Sequence, residues 1–526
     1  MSKRKNERKP LSFTTTMRNP ERIASFLNCL IDFEGKILTN DLICDIIKNI
    51  LSKKIYETMY QRNNKEYKCI YEDESLNYTD EDLNDIIKNS SQNHKESGFE
   101  KGWPSRFDTF YKFSKELGFV YYEINKKIEI SESGHLIIKT LGENSDSTKL
   151  LSRVFLNAMV KYNTNNPFRR NLNSNNPLVL TLETINILKN NYNWEKSGIY
   201  RHEIPFITCW QDNNSSKLAE FINSFRIKHG KKPSNETVYS LSLELLESDN
   251  TKRFKINQIL NEGVDDFIRK LRITGLFSLR GMGSLLDVNK FEIDKIEYIL
   301  ENYSNQEIFD DEYKFYEYMG QIDKNFVKIS SNDIQYNINE IRQRNLEKWA
   351  KDLTKEEIYQ ELKVLGNKNI GSKHSVLKLI DEPTRFEFLT SIALKQHFPS
   401  VDISPNYPID DEGMPTFTAM GGIGDIEVYS DHDRILVEVT LIRNRNQGSI
   451  EIPAITRHLK SIVGANMNIY SIFIAPIIHE DTKYMIGYTK NRYGLNIYDY
   501  TIEDFVKYLS KFEKLSDFCF DNQLIN

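Results

Sequence analysis

Cysteine is scarce in this chain. The five present among 526 residues, Cys29, Cys44, Cys69, Cys209 and Cys519, are scattered and odd in number. No pair has zinc-site spacing and no disulfide framework can be drawn, so they read as reduced thiols. Long apolar runs are missing too, which excludes a membrane-spanning helix. The opening Met-Ser-Lys-Arg-Lys-Asn-Glu-Arg-Lys is basic and polar and lacks an apolar signal region, so a cytoplasmic protein is expected. No internal repeat of fixed period stands out. Nor is there an excess of positive charge. The net charge is −5, so any contact with a polyanion must rest on local basic patches.

What is present is a globular composition, 39% hydrophobic and 28% charged. The chain is too long for one core, and two to four domains are expected. Residues 20–60 read as helical, with apolar Ile23, Phe26, Leu27 and Leu30, then Leu42, Ile46, Ile50 and Leu51. Trp103-Pro104-Ser105 opens a helix bearing Phe107, Phe110, Tyr111, Phe113 and Leu117, closed by Gly118. Strands at Phe119–Ile124 and Lys127–Ile130 follow, with Asn125-Lys126 as the turn. Helix, hairpin and apolar return are the pattern of a winged helix. It recurs at 256–289, with helices Ile256–Leu260 and Val264–Ile273 and strands Leu276–Leu279 and Leu285–Val288. Two such units read either as a composite DNA-reading region or as generic helix–hairpin units serving protein contacts. The Asn-rich patches 163–166 and 171–176 read as loops.

Residues 290–365 read as charged helices, a helical linker, with a boundary at Gly366–Gly371. Beyond 372 the pattern becomes α/β: a helix at 383–396, strands at 424–429 and 435–441, a helix at 453–463, strands at 471–475 and 494–499, and a helix at 501–513. The partition expected is 1–289, 290–371 and 372–526.

The last region carries a series of acids. Glu387 lies in the helix opened by Pro383; an acid among Phe386, Phe388 and Leu389 is either at an exposed edge or aimed at a site. Asp425 follows Gly421-Gly-Ile-Gly424, a turn that lets the backbone come close to another group, or it caps a strand start. Glu438 interrupts Ile435, Leu436, Val437, Val439 and Leu441, a run apolar enough for a strand buried on both faces. A carboxylate there costs several kcal/mol unless compensated, and a metal ion compensates it. Glu451, just before Pro453, is placed at a helix start, where the dipole alone favours an acid. His458, seven residues on, falls on the same face. Two acids on adjacent strands can share one divalent cation, the arrangement that generates a nucleophile from water beside a phosphate.

Glu on a helix, then Asp, then Glu-x-Thr, then a helix with Glu resembles the PD-(D/E)xK nuclease superfamily. Two departures stand out: no Pro directly precedes Asp425, and Thr440 occupies the usual lysine position. Phe13-Thr-Thr-Thr-Met-Arg-Asn-Pro-Glu-Arg22, Met159-Val-Lys-Tyr with Asn166-Pro-Phe-Arg169, Pro383-Thr-Arg-Phe-Glu387, Gly421-Gly-Ile-Gly-Asp425 and Glu438-Val-Thr440 together resemble the AlwI family of type IIS restriction endonucleases and related nicking enzymes. The resemblance implies an active site of Glu387, Asp425, Glu438, Glu451 and His458. It implies a mainly helical, winged-helix-like recognition region, a helical linker and a C-terminal α/β PD-(D/E)xK cleavage domain. It also implies double-stranded DNA cut a few base pairs outside a short asymmetric site, and a cognate DNA methyltransferase.

Mg²⁺ is expected on Asp425, Glu438 and the Val439 carbonyl, with Glu387 supporting through water, Glu451 orienting or deprotonating the nucleophile and His458 contacting the phosphate. DNA-contact candidates are Arg18, Asn19, Arg22, Arg106, Arg169 and Arg170. One chain carries one active site, so a double-strand break needs transient dimerisation of cleavage domains or two sequential nicks. A strand-specific nickase, a subunit of a heterodimeric enzyme, and a DNA-binding regulator with an inactive nuclease fold are the alternatives.

Overall fold

A computed structural model of the chain describes residues 8–11, 20, 22–73, 76–93, 95–96, 98–141, 147–192, 194, 197–305, 307–329, 337–367, 370–430, 433–462 and 468–519. The chain divides into two compact units. The first comprises 1–62, 78–142 and 147–335; the second comprises 63–77, 143–146 and 336–526. The segment expected as a linker is therefore shared out. Helices Ile293–Asn302 and Glu312–Gly320 belong to the first unit, and those from Ile338 onward to the second.

The first unit is mainly helical. Its first hairpin follows helix Trp103–Glu116, but Val120–Tyr121 pairs with Glu129–Ile130 over two residues only. The expected strands are longer than the observed ones because the rest of the hairpin bonds elsewhere. Asn125 and Ile128 N–H donate to the carbonyls of Leu38 and Lys36. The second hairpin, Phe277–Arg280 with Leu285–Val288, is antiparallel as expected and gains a third strand, Ile199–Tyr200. The two helices expected before it are one continuous run, 256–272, containing a π turn at Gln258–Glu262. The wider turn interrupts the 3.6-residue phase of the apolar positions, which in the sequence looks like a break.

The Asn-rich loops are loops, yet Asn163, Asn166, Asn173, Asn175 and Asn176 are buried. Asn175 Nδ2 donates to the Trp210 carbonyl at 2.8 Å, and Asn173 Nδ2 to the Cys209 carbonyl at 3.2 Å. Side-chain amides there replace the ladder bonds that an irregular buried backbone lacks.

The second unit is built on a five-stranded sheet. In chain order its elements are α1 (Ile338–Asp352), α2 (Lys355–Leu365), α3 (Glu382–His397), β1 (Asp402–Pro405), β2 (Ile426–Tyr429), β3 (Asp433–Val439), α4 (Asn446–Ile462), β4 (Asn468–Ala475), α5 (Glu480–Tyr493), β5 (Asn496–Thr501) and α6 (Ile502–Leu509). The sheet order is β5-β4-β3-β2-β1. The β5–β4 and β4–β3 pairs are parallel; β3–β2 and β2–β1 are antiparallel. Strand β1 and helix α5 had no counterpart in the sequence reading. Helix α3 packs against α1, α2 and β1 and is buried nearly all round. Helices α4 and α5 cover one face, where Leu436 and Phe473 of the sheet meet Ile452, Ile455, Leu459 and Ile486.

Helix α4 starts at Asn446, two turns before the expected position, so Pro453 lies inside it. The early start is held by Gln447, which is fully buried. Its Nε2 donates to the Ile442 and Ile477 carbonyls, and its Oε1 accepts from His479 N–H and the Thr482 hydroxyl.

Buried ion pairing in the first unit gives a stability prediction. Glu203 and Arg226 are paired at 2.7 Å with side chains 0% and 3% exposed. Glu203→Ala removes the carboxylate paired with this buried guanidinium and should cost about 3–5 kcal/mol, read as a lower urea midpoint. Glu480→Ala, which breaks the exposed Lys483 pair, should leave the midpoint in place.

Candidate active site

Glu438 is next to last in β3 and only 6% exposed. Side chains alternate along a strand, so Glu438 shares a face with Leu436, the face that α4 covers. There His458 Nδ1 meets Glu438 Oε1 at 2.9 Å. With Glu438 ionised, Nδ1 carries the proton and the histidine's other nitrogen is the acceptor.

Asp425 immediately precedes β2. Ile426 pairs with Val437, so Asp425 stands beside Glu438 where the two strands end. Its Oδ2 accepts the Val439 N–H at 2.8 Å, and its own N–H points to Glu438 Oε2 at 3.4 Å. Gly424 eases this approach, since a Cβ there would crowd the Glu438 carboxylate at 3.0 Å from Oε1.

Glu387 is 4% exposed. It is not at the edge of its helix, because α3 has neighbours on nearly every side. Its Oε2 accepts the Ala419 N–H at 2.8 Å. Burial raises the Glu387 carboxyl well above the usual carboxylate range, and the charges of Asp381 and Glu438 push the same way against the Ala419 bond. Burial also raises Asp425, with further upward pushes from Glu387, Glu438 and Glu451 against the Val439 N–H. The acids thus lie within electrostatic reach of one another.

Glu451 lies in the second turn of α4 rather than at its start, a correction that follows from the helix beginning at Asn446. The dipole effect fades beyond the first turn, so it does not account for this acid. Thr440, at the usual lysine position, is buried, and its Oγ1 accepts the Ile442 N–H at 3.3 Å, turning the chain out of β3.

Among the described residues, no group of three or more His, Cys, Asp and Glu is arranged to hold a metal on side chains alone. Mg²⁺ asks for less, since it binds through one or two carboxylates and keeps several waters. Asp425 and Glu438, adjacent, largely desolvated and mutually repelling, are a donor pair that fits such an ion.

Three contributors had little or no signal in the sequence. The glycine-rich turn hinted at Gly424. Ala419 and Asn406 gave none, because they act through backbone contacts with residues distant in the chain. Asn406 Nδ2 donates to the Gly424 carbonyl at 2.7 Å, and its N–H donates to the Asp425 carbonyl.

The DNA-contact candidates fare differently. Arg18 and Asn19 lie outside the described residues. Arg22 donates to the Ile55 carbonyl at 2.8 Å and lies over the Phe26 ring. Arg106 donates to the Tyr56 hydroxyl and stacks over Tyr56 and Phe110. Arg169 is paired at 3.0 Å with the fully buried Glu116. Arg170 is exposed. No helix among the described residues is long and apolar enough to cross a membrane.

Several solved structures are similar to parts of this chain. One is the small subunit (R.BspD6I2) of the heterodimeric restriction endonuclease R.BspD6I, 25% identical over 30% of this chain and 77% of that one, with a TM-score of 0.26. Another is the BpuJ1 endonuclease binding domain in complex with modified DNA, 12% identical over 60% and 96%, TM-score 0.34. A third is the restriction endonuclease FokI, 10% identical over 99% and 97%, TM-score 0.25. No curated protein matches the chain. The AlwI restriction endonuclease family model matches residues 115–353 and 324–508, most of the chain, and the protein therefore belongs to that family.

Proposed function

We propose that this protein is a type IIS restriction endonuclease that binds a short asymmetric sequence in double-stranded DNA and hydrolyses phosphodiester bonds at a fixed offset from it, with Mg²⁺ as cofactor. The observation that carries the reading is the juxtaposition of Asp425 and Glu438 where β2 and β3 end, inside a member of a restriction endonuclease family. Asp425, Glu438 and the Val439 carbonyl would hold the ion. Val439 N–H points to Asp425, and in an extended strand a residue's carbonyl projects to the same side as its N–H, which supports the third ligand. Bound there, Mg²⁺ supplies Lewis acidity at the scissile phosphate and makes water a competent nucleophile at neutral pH.

The protein's own groups do the remaining work. Glu387, fixed by the Ala419 N–H, bounds the site and orders water. Glu451, half-buried on α4 and within electrostatic reach of Asp425, orients the attacking water and takes its proton. The water oxygen then bonds to phosphorus as the ester oxygen in line with it departs. His458 holds Glu438 through Nδ1 and offers its other nitrogen for proton exchange near the phosphate. Site recognition is assigned to the mainly helical first unit, with Arg22 and Arg170 the exposed candidates among the described residues. The reading carries with it a cognate DNA methyltransferase that protects host sites, and cleavage of both strands through transient pairing of cleavage domains.

The test is incubation of the purified protein with supercoiled plasmid and Mg²⁺, followed by run-off sequencing of both strands. Discrete cuts at one offset from one short sequence are expected. Glu438→Ala should abolish them while retaining site binding in Ca²⁺. Cuts confined to one strand would make the enzyme a nickase, and unaltered cutting by Glu438→Ala would remove this site from the chemistry. Glu451→Gln should slow cleavage by about 10²–10⁴-fold; a wild-type rate would exclude Glu451 as the base.

Carboxylate repulsion gives a further expectation. Acids whose pKa is raised by folding lose stability as pH climbs from the ordinary carboxylate range through the raised value. In EDTA at neutral pH, Asp425→Asn should therefore melt above wild type, and the gap should close on acidification to about pH 4. Added Mg²⁺ should raise the wild-type midpoint more than that of the variant.

A further inference from the structure

Asn406 lies just past β1 and outside the acidic set. The β1–β2 ladder ends with Pro405 opposite Ile426. Asn406 extends it twice. Its main-chain N–H donates to the Asp425 carbonyl at 2.8 Å, and its side-chain Nδ2 donates to the Gly424 carbonyl at 2.7 Å. The chain then turns away, with the Tyr407 carbonyl taken by Arg342. The side-chain amide thus stands in for a backbone donor that the departing strand no longer provides.

The two carbonyls held by Asn406 flank Asp425. The Gly424 carbonyl belongs to the same rigid peptide plane as the Asp425 N–H, and that N–H faces Glu438 Oε2 at 3.4 Å. On its other side Gly424 is packed tightly against Glu438, where a Cβ would stand 3.0 Å from Oε1. Rotation of this peptide would carry the Asp425 carboxylate off the Val439 N–H and open the gap to Glu438. The glycine-rich run before it, 421–424, offers little resistance of its own to such a rotation.

We propose that Asn406 is a positioning residue for the nuclease reaction: its side-chain amide fixes the Gly424–Asp425 peptide so that Asp425 and Glu438 present their carboxylates to one divalent cation. The inference rests on the metal-dependent reading above and adds to it the group that sets the spacing of the two acids.

The experiment compares wild type, Asn406→Ala, Asn406→Asp and Glu438→Ala in plasmid cleavage over a Mg²⁺ series and in calorimetric titration with Mg²⁺ without DNA. Site binding in Ca²⁺ and the thermal midpoint are measured alongside. The Asp variant has the same shape and keeps the main-chain donor while losing the side-chain donor, so the test stays readable if the Ala variant unfolds. Both variants should show a kcat lower by about 10–100-fold, an unchanged KM for DNA, a higher half-saturating Mg²⁺ concentration and weaker Mg²⁺ binding. Rates and Mg²⁺ requirements within twofold of wild type would overturn the proposal. So would a lower kcat with an unchanged Mg²⁺ requirement, which marks a merely structural clamp. A wild type that binds Mg²⁺ but does not cleave sinks the functional reading while the titration still decides the role of Asn406. A wild type that does neither overturns both.

Discussion

The second unit depends on a carboxylate held inside the apolar run of its strand. Glu438 sits among Ile435, Leu436 and Val437 with α4 packed over its face. Removing it from water costs several kcal/mol unless it is compensated. Its surroundings are arranged around that cost. His458 approaches one oxygen and the Asp425 amide the other. A side chain at Gly424 would crowd the Glu438 carboxylate, with its Cβ 3.0 Å from Oε1. A strand selected for stability alone would carry valine at this position.

The other acids amplify the constraint. Burial raises the proton affinity of both Glu387 and Asp425, and the charge of Glu387 raises that of Asp425 further. Each is steadied by a single main-chain N–H, of Ala419 and Val439 respectively. Such a cluster is poorly neutralised by the fold itself, and a divalent cation held there, as proposed, would relieve the repulsion. Stability given up at the acids is regained where the chain has no chemistry to perform, as at the Glu203–Arg226 pair and the saturated side chain of Gln447.

The topology explains why the acids meet although they are far apart in sequence. The antiparallel β2–β3 pair sets Asp425 beside Glu438. The crossover from β3 through α4 to the parallel strand β4 lays Glu451 and His458 across the same face. The long irregular segment between β1 and β2 returns Ala419 to α3 and Gly424 to Asn406. This segment carries no pattern of its own, and its conformation follows from the groups it must satisfy.

The sequence by itself determined the α/β character of the second unit, the identity of its acids and the strand that carries Glu438, because a charge inside an apolar run and a two-residue alternation are local properties. It also showed the helix–hairpin order of the first unit, while overestimating the first hairpin and splitting one helix at a π turn. Tertiary structure alone decided the rest. Glu387 is buried because α3 has neighbours on nearly every side, a fact absent from its own neighbours in sequence. Helix α4 begins two turns early because Gln447 finds partners in the loop just before it, at Ile442, and in the distant stretch 477–482, which outweighs the local stop signal of Pro453. Arg106 and Arg169, which look like surface cations in the sequence, are committed to aromatic rings and a buried glutamate. Asn406 is indistinguishable in the sequence from any loop asparagine, since what distinguishes it is the pair of carbonyls that the fold brings within its reach.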